Sequence, residues 1–340
     1  MNLVPYIIRR LLLTIPVLIG ITLAAFVISH AVPADPIAAN LGQRAQDDPS
    51  IIQRYRHQWG LDRPLPVQYV FYVGNLLHGD LGTSITTGNS VTSDLKQYFP
   101  ATLELSTAAL LISLLIGVPL GVLAAVRRNG PLDFAARVIS LVGVSTPVFW
   151  LGLIGLLALW YYLKLLPGPT GQLDRNVTPP PVVTGAALVD SALARDPAAF
   201  GNALWHLLLP ALVLGAYTMG IITRMTRGSM LEALVQDYIR TARSKGLPGS
   251  RVVLRHGLRN AIIPTLTLAG LAYGSLLSGA VLTETVFAWP GIGLYATQTA
   301  SGADFPAIMG VALVTALVYL LLNLVVDLLY AMLNPQVRLG

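Results

Sequence analysis

Long apolar runs alternate with short charged ones along this chain, and six of the runs are long enough to cross a bilayer. They cover roughly Ile7–Val32, Ala101–Val126, Ala135–Leu163, Leu204–Met225, Ala261–Thr283 and Ala307–Leu329. A helix needs about 20 apolar residues to cross a hydrocarbon core of roughly 30 Å. Each run is too evenly apolar for the one-sided stripe of a soluble helix. In lipid the backbone groups must be paired within each segment, which predicts helices. The short alternating strands of a membrane barrel are not seen. The pattern therefore predicts an all-α polytopic membrane protein with six transmembrane helices.

Composition agrees. Hydrophobic residues make up 54% of the chain and charged residues 11%, against about 25% charged in soluble domains. Cysteine is absent, which excludes disulfides, a thiol nucleophile and Cys-ligated zinc. The net charge of +6 reads as basic cytoplasmic loops, not as a nucleic-acid surface. Fourteen of the 22 Lys and Arg residues fall in one set of connections, including Arg9, Arg10, Arg127, Arg128 and the eight from Arg224 to Arg259. That bias places both termini on the cytoplasmic side of a membrane crossed several times. The first run follows Arg9 and Arg10 and resembles a signal peptide, but its apolar core exceeds the usual cleaved length. It reads as a retained anchor.

This organisation gives an N-terminal anchor over 1–33, an extracytoplasmic cap over 34–97, a membrane core over 98–333 and a tail over 334–340. The cap is expected to hold small helices. Pro167–Pro197, with Pro179, Pro180 and Pro181 in a row, reads as an irregular loop. The pairs Gly117/Gly121 and Gly270/Gly274 have the spacing that lets helix backbones approach. Pro16, Pro119, Pro147, Pro210 and Pro264 fall in or at the ends of spans.

The most informative stretch is cytoplasmic, Arg224 to Thr265. It is too charged for the membrane and too rich in helix formers for a plain linker. A short helix is predicted over Asp237–Lys245, with Asp237 as N-cap or at the positive helix end. Tyr238, Ile239 and Ala242 would share its apolar face, with Arg240, Arg243 and Lys245 on the rest. Gly246 is placed to end it in a left-handed conformation. A second helix begins near Ser250 and runs past Arg259 and Asn260 into the fifth span. Such a helix can lie on lipid, pack on its own protein, or enter a groove on a soluble partner.

The spacing Ala242, Gly246, His256, Asn260 resembles the cytoplasmic loop of binding-protein-dependent ATP-binding-cassette permeases. YIRTARSKGL at Tyr238–Leu247 is similar to dipeptide and oligopeptide permeases in particular. So are HGDLG at His78–Gly82, ATLEL at Ala101–Leu105, STPVFW at Ser145–Trp150, LTETVFAWPGIG at Leu282–Gly293 and VDLLYAMLNPQVR at Val326–Arg338. One span, a long outer loop and five further spans resemble the first permease of a heterodimer. The resemblance implies the type I importer transmembrane fold. It further implies a pore shared with a second homologous permease, two ATPase subunits carrying ATP and Mg, and an extracytoplasmic substrate-binding protein. Tyr238, Ile239, Arg240, Ala242, Arg243, Lys245, Gly246, Leu247, His256 and Asn260 would then form the ATPase-coupling loop. The chain has no Gly-Lys dipeptide and so no phosphate-cradling Walker loop. A transport subunit with no ATPase site and no cofactor of its own is expected.

Glu104, Glu284 and Asp327 are the acids nearest lipid, and such acids are functional candidates by default. Glu104, Glu284 and Trp289 are the candidates for a gate or portal, helix-end polarity being the plainer alternative. Trp150, Trp160, Trp205 and Trp289 suit an aromatic belt. No metal-ligand spacing surrounds His256, which points to a loop-structuring role. The same family includes permeases for nickel complexes, glutathione or haem. An ion-gradient-driven secondary transporter and a membrane scaffold with no pore remain the rival classes.

Overall fold

The computed structural model describes residues 3–31 and 63–333. Among them the chain is helical, with no strand and one isolated bridge between Thr83 and Ser90. Helix α1 is Leu3–Ala31, α2 Leu65–Leu77 and α3 Val91–Val126. Next come α4 (Pro131–Ser145), α5 (Val148–Tyr162), α6 (Ala187–Leu193) and α7 (Pro197–Leu234). The rest are α8 (Asp237–Ser244), α9 (Gly249–Phe287), α10 (Ile292–Ser301) and α11 (Phe305–Leu333). Five helices are continuous candidate spans, and α4 with α5 makes a sixth if that bent pair counts as one.

Helices outrun the apolar runs because polar flanks continue the same backbone ladder. Thus α3 starts at Val91 instead of Ala101, and α7 reaches back to Pro197. Asp196 caps α7 by accepting from the amides of Ala198 and Ala199, with Pro197 at the first helical position. The third run is broken. Its halves meet at 109° between Ser145 and Val148, where Thr146 precedes Pro147 and is forced to extended backbone, ψ 131°. Pro147, which the apolar pattern places within this run, divides it. The 167–197 segment also departs from expectation, since it contains α6. The expected cap falls partly at 32–62, and the tail at 334–340, outside the described residues; α2 and the start of α3 are the described parts of 34–97.

The structure divides into two compact units, Met1–Pro100 with Gly291–Leu320, and Ala101–Pro290 with Leu321–Gly340. In the first, Val91, Leu95, Ile292, Tyr295 and Ala307 form the core. Tyr295 stacks on Tyr98 at 5.0 Å, and its hydroxyl donates to Asp94 at 3.0 Å. Asp304 binds Ser84 and the Thr86 amide and caps α11 at Ala307. Asp94 takes the Thr87 hydroxyl and the Asn89 side-chain amide, so two carboxylates order the turn from Gly82 to Ser90.

The second unit is built around α7, most of whose apolar stretch is buried. Its neighbours come so close that glycine is required. A Cβ on Gly215 would lie 2.7 Å from the carbonyl oxygen of Ala109 on α3, and one on Gly220 2.7 Å from that of Ser140 on α4. From the other side, Gly121 on α3 faces the Thr223 carbonyl and Gly143 on α4 the Ala216 carbonyl, each at 2.7 Å. Gly117 meets Ile222, so the Gly117/Gly121 pair does serve helix approach. Gly270 packs on Val326 of α11. Ser113 adds a hydroxyl bridge, donating within hydrogen-bond distance of both Ala109 and Gly215 carbonyls.

Gly215→Ala should therefore force α3 and α7 apart and destabilise the fold by roughly 1–3 kcal/mol. Gly228→Ala, on the same helix with open space at its Cβ, should leave stability unchanged or slightly raised. Thermal unfolding of the two variants in one detergent checks the contrast; equal melting temperatures would refute the close-approach account.

Candidate functional site

The 224–265 stretch folds as two helices joined by a tight turn. Asp237 does not cap α8; Gln236 holds that position, and Asp237 sits in the first turn, where its charge suits the helix dipole. Ile239 is fully buried and Ala242 nearly so, and they pack with Val252 and the half-buried Leu247. Tyr238 lies outside this seat, 41% exposed. Facing inward at α8 is set by Ile239 and Ala242, three residues apart, and Tyr238 stands about 100° round the helix from Ile239. Gly246 has φ +72°, the left-handed region that glycine enters without steric cost. Its amide and that of Lys245 bond back to Arg243 and Thr241. Leu247 then turns into the seat, and Pro248 starts α9.

The outward face of this hairpin is cationic. Arg240, Arg243, Lys245, Arg251, Arg255 and Arg259 are exposed. The Arg240–Asp237 pair at 3.5 Å is solvent-swept and contributes little to stability. His256 and Asn260 lie one turn apart on α9, and the Asn260 amide reaches the His256 carbonyl at 3.4 Å. The base of the hairpin is anchored on Met230, Ala233, Ala261, Val122 and Ala125. From Val252 to Leu258, α9 opens into a π-helical stretch. Gly257 on it lies against the tips of Met230 and Leu234.

One anchor was not foreseen from sequence. Arg227 grips the buried Asp133 with two bonds, 2.6 Å from Nε and 2.9 Å from Nη2, and the Asn129 amide adds a third at 3.0 Å. This fork ties the α3–α4 turn to α7 ten residues before α8, which with the Gly246 turn forms a protruding knob. The only hint in the sequence was a carboxylate and an arginine near the ends of apolar runs, 94 residues apart.

At the far ends of α3 and α9 the three gate candidates converge on one turn of α3. Thr102 donates to Glu284 at 2.6 Å, and the Trp289 indole donates to the Ala101 carbonyl at 2.8 Å. Glu104 accepts from Gln172 and from the Leu188 amide. Glu284 is buried inside the protein and so does not face lipid. Trp289 is 1% exposed and is no part of an aromatic belt, whereas Trp150, Trp160 and Trp205 are exposed. The indole's single donor needs a partner when buried, and the carbonyl at the Ala101 turn supplies it. Ala288, at φ 51°, ends α9 and swings Trp289 inward.

Family models match nearly all of the chain. Residues 117–339 fit the binding-protein-dependent transport system inner membrane component, and residues 3–106 its N-terminal region. The chain belongs to this family. The probable D,D-dipeptide transport system permease protein DdpB of Escherichia coli K12 is 52% identical over 325 residues, covering 95% of this chain and 94% of that protein. The di/tripeptide permease DppB of Pseudomonas aeruginosa is 45% identical, with 98% of each chain covered. The oligopeptide permease AppB of Bacillus subtilis is 38% identical over 98% of this chain and 99% of its own length. This inner membrane component therefore carries the all-α transmembrane fold of an ATP-binding-cassette importer permease. No group of metal-ligating side chains occurs among the described residues of the permease.

Two outcomes follow from this geometry. Ile239→Ala empties a fully buried seat and should loosen the knob by about 2–4 kcal/mol. Faster hydrogen exchange at residues 242–247, with the α7 core unchanged, is the expected signature. The second concerns Asp190 in α6. Burial raises its pKa, but bonds from the Thr184 hydroxyl and from the amides of Thr184, Gly185 and Val183 outweigh burial and hold it below 3.8. A depressed carboxylate contributes stability above its unfolded pKa and loses it as pH falls through the folded value. Exchange protection at 183–190 should thus persist at pH 6 and vanish under strong acid. Asp190→Asn should abolish that pH dependence.

Proposed function

We propose that this permease translocates dipeptides or short oligopeptides inward across the cytoplasmic membrane. Its energy would come from ATP hydrolysed on partner subunits. The relatives' peptide transport names support the substrate class, and the coupling rests on the hairpin. A cationic knob fixed by a buried seat, and continued into α9, suits a groove on a soluble partner, because Ile239, Ala242 and Val252 are packed internally while Arg240, Arg243, Lys245, Arg251 and Arg255 face outward beside the half-exposed Tyr238. Tyr238, Arg240, Arg243 and Lys245 would contact the ATPase, with Ile239, Ala242, Gly246, Leu247, His256 and Asn260 holding their geometry.

In this reading the knob end is cytoplasmic, as are both termini, and the Glu104–Glu284–Trp289 end faces the binding protein. A second homologous permease completes the pore, and two ATPases supply nucleotide and Mg. Closing of the ATPases moves the knobs, α9 carries the displacement, and the bonds around Ala101–Glu104 remake as the outer mouth opens and shuts.

The test uses the whole transporter in proteoliposomes with its binding protein. Gly246→Val places a β-branched residue at φ +72° and should cut peptide uptake and binding-protein-stimulated ATP hydrolysis at least about tenfold. The complex should still assemble. Arg243→Glu should weaken coupling while leaving the melting temperature unchanged. Undiminished uptake in both variants, or uptake by this chain alone on an ion gradient, would overturn the reading.

A further inference from the structure

A cleft of about 770 Å³ opens where α5 ends, and neither the knob nor the gate cluster uses it. Trp160, Tyr161, Lys164, Gly168, Thr170 and Asp174 line it. Its parts are held in place from behind. The indole of Trp160 rests on Gly168, where a Cβ would come within 2.7 Å of the ring, so the wall requires glycine. Asp174 is positioned by α7. Asn202 donates to one carboxylate oxygen at 2.7 Å, and His206 stands 3.3 Å from the other. The side chain stays 53% exposed, with lone pairs to spare.

Lys164 is the telling residue. The amides of Leu165 and Leu166 both return to the Leu159 carbonyl, closing α5, and Lys164 sits at the left-handed position of that closure, φ 51°. Glycine is the usual occupant there, and a side chain costs on the order of 1 kcal/mol. A lysine is nonetheless held at the cleft, and it makes no ion pair among the described residues. Beside the lining residues along the chain, Tyr162, Leu163 and Leu165 are each more than half exposed, as is Tyr161 of the cleft itself. Aromatic rings and a lysine at the end of an apolar span lie at the level of lipid headgroups.

We propose that this cleft binds a phospholipid with a zwitterionic, primary-amine headgroup of the phosphatidylethanolamine type. Lys164 takes the phosphate through a charge-assisted bond. The ammonium sits between Asp174 and the faces of Trp160 and Tyr161, where ring quadrupoles attract a cation. Acyl chains run along Tyr162, Leu163 and Leu165. A purely anionic headgroup satisfies Lys164 but meets Asp174 as a like charge, so the pair of opposite charges selects the zwitterion.

Native mass spectrometry of the assembled transporter in mild detergent, with added phosphatidylethanolamine or phosphatidylglycerol, tests this. Wild type should retain the former about tenfold better, the effect of roughly one charge-assisted bond. Lys164→Gly should lower that retention about tenfold while the melting temperature holds or rises, because glycine relieves the backbone. Asp174→Asn should narrow the preference between the two lipids. Equal retention by wild type and Lys164→Gly would overturn the proposal, as would equal retention of the two lipids by wild type. A lower melting temperature in Lys164→Gly would assign the lysine to the fold instead. Release of bound lipid by a soluble dipeptide would make the cleft a peptide-terminus site. Uptake assays do not enter this test, so its outcome is independent of the substrate.

Discussion

The second unit depends on carbonyl-to-glycine contact along α7. Helices in lipid gain little from burying apolar side chains against one another, since the solvent is equally apolar. What holds them is close contact between backbones, and here α3 and α4 reach α7 through Gly121, Gly143, Gly215 and Gly220. Each glycine faces a neighbour's carbonyl, 2.7 Å from where its Cβ would stand, and at Gly121, Gly215 and Gly220 a side chain closes in beside it. These contacts fix the helix axes near the minimum spacing, and the polar bonds at either end inherit their precision from that spacing. Asp133 can fork with Arg227, and Thr102 can reach Glu284, because the rods between them are not free to slide.

Much of this was legible in the sequence, and the physical reason is the same in each case. Apolar run length reports membrane crossing directly, so the spans were visible. The left-handed turn at Gly246 and the inward Ile239–Ala242 pair follow from helix spacing and glycine sterics, which are local. The Gly117/Gly121 pair was also visible, because its spacing is written within one helix. Gly215 and Gly220 were not, since their reason lies on other helices.

What stayed hidden was long-range. In an all-apolar helix no periodic stripe marks the inward face, so nothing announced that Trp289 and Glu284 turn inside while Trp150 and Trp205 turn out. The Asp133–Arg227 fork joins residues 94 positions apart, a distance over which charge patterning carries no information. Pro147 illustrates a milder limit. Its effect on Thr146 is local and certain, but whether a span merely bends or divides depends on what receives the freed backbone.

The length of α9 has a mechanical consequence. One uninterrupted helix of roughly 58 Å at 1.5 Å per residue begins beside the Gly246 turn and ends at the Ala288 reversal. A strut of that kind converts a push at its foot into tilt at its head, with gain set by where along its length it is clamped. Near the foot the helix widens into a π-helical stretch seven residues long, just before Ala261 packs among Val122, Ala125, Met230 and Ala233. Any force applied at the foot has to pass through that stretch before it reaches the packed part of the helix.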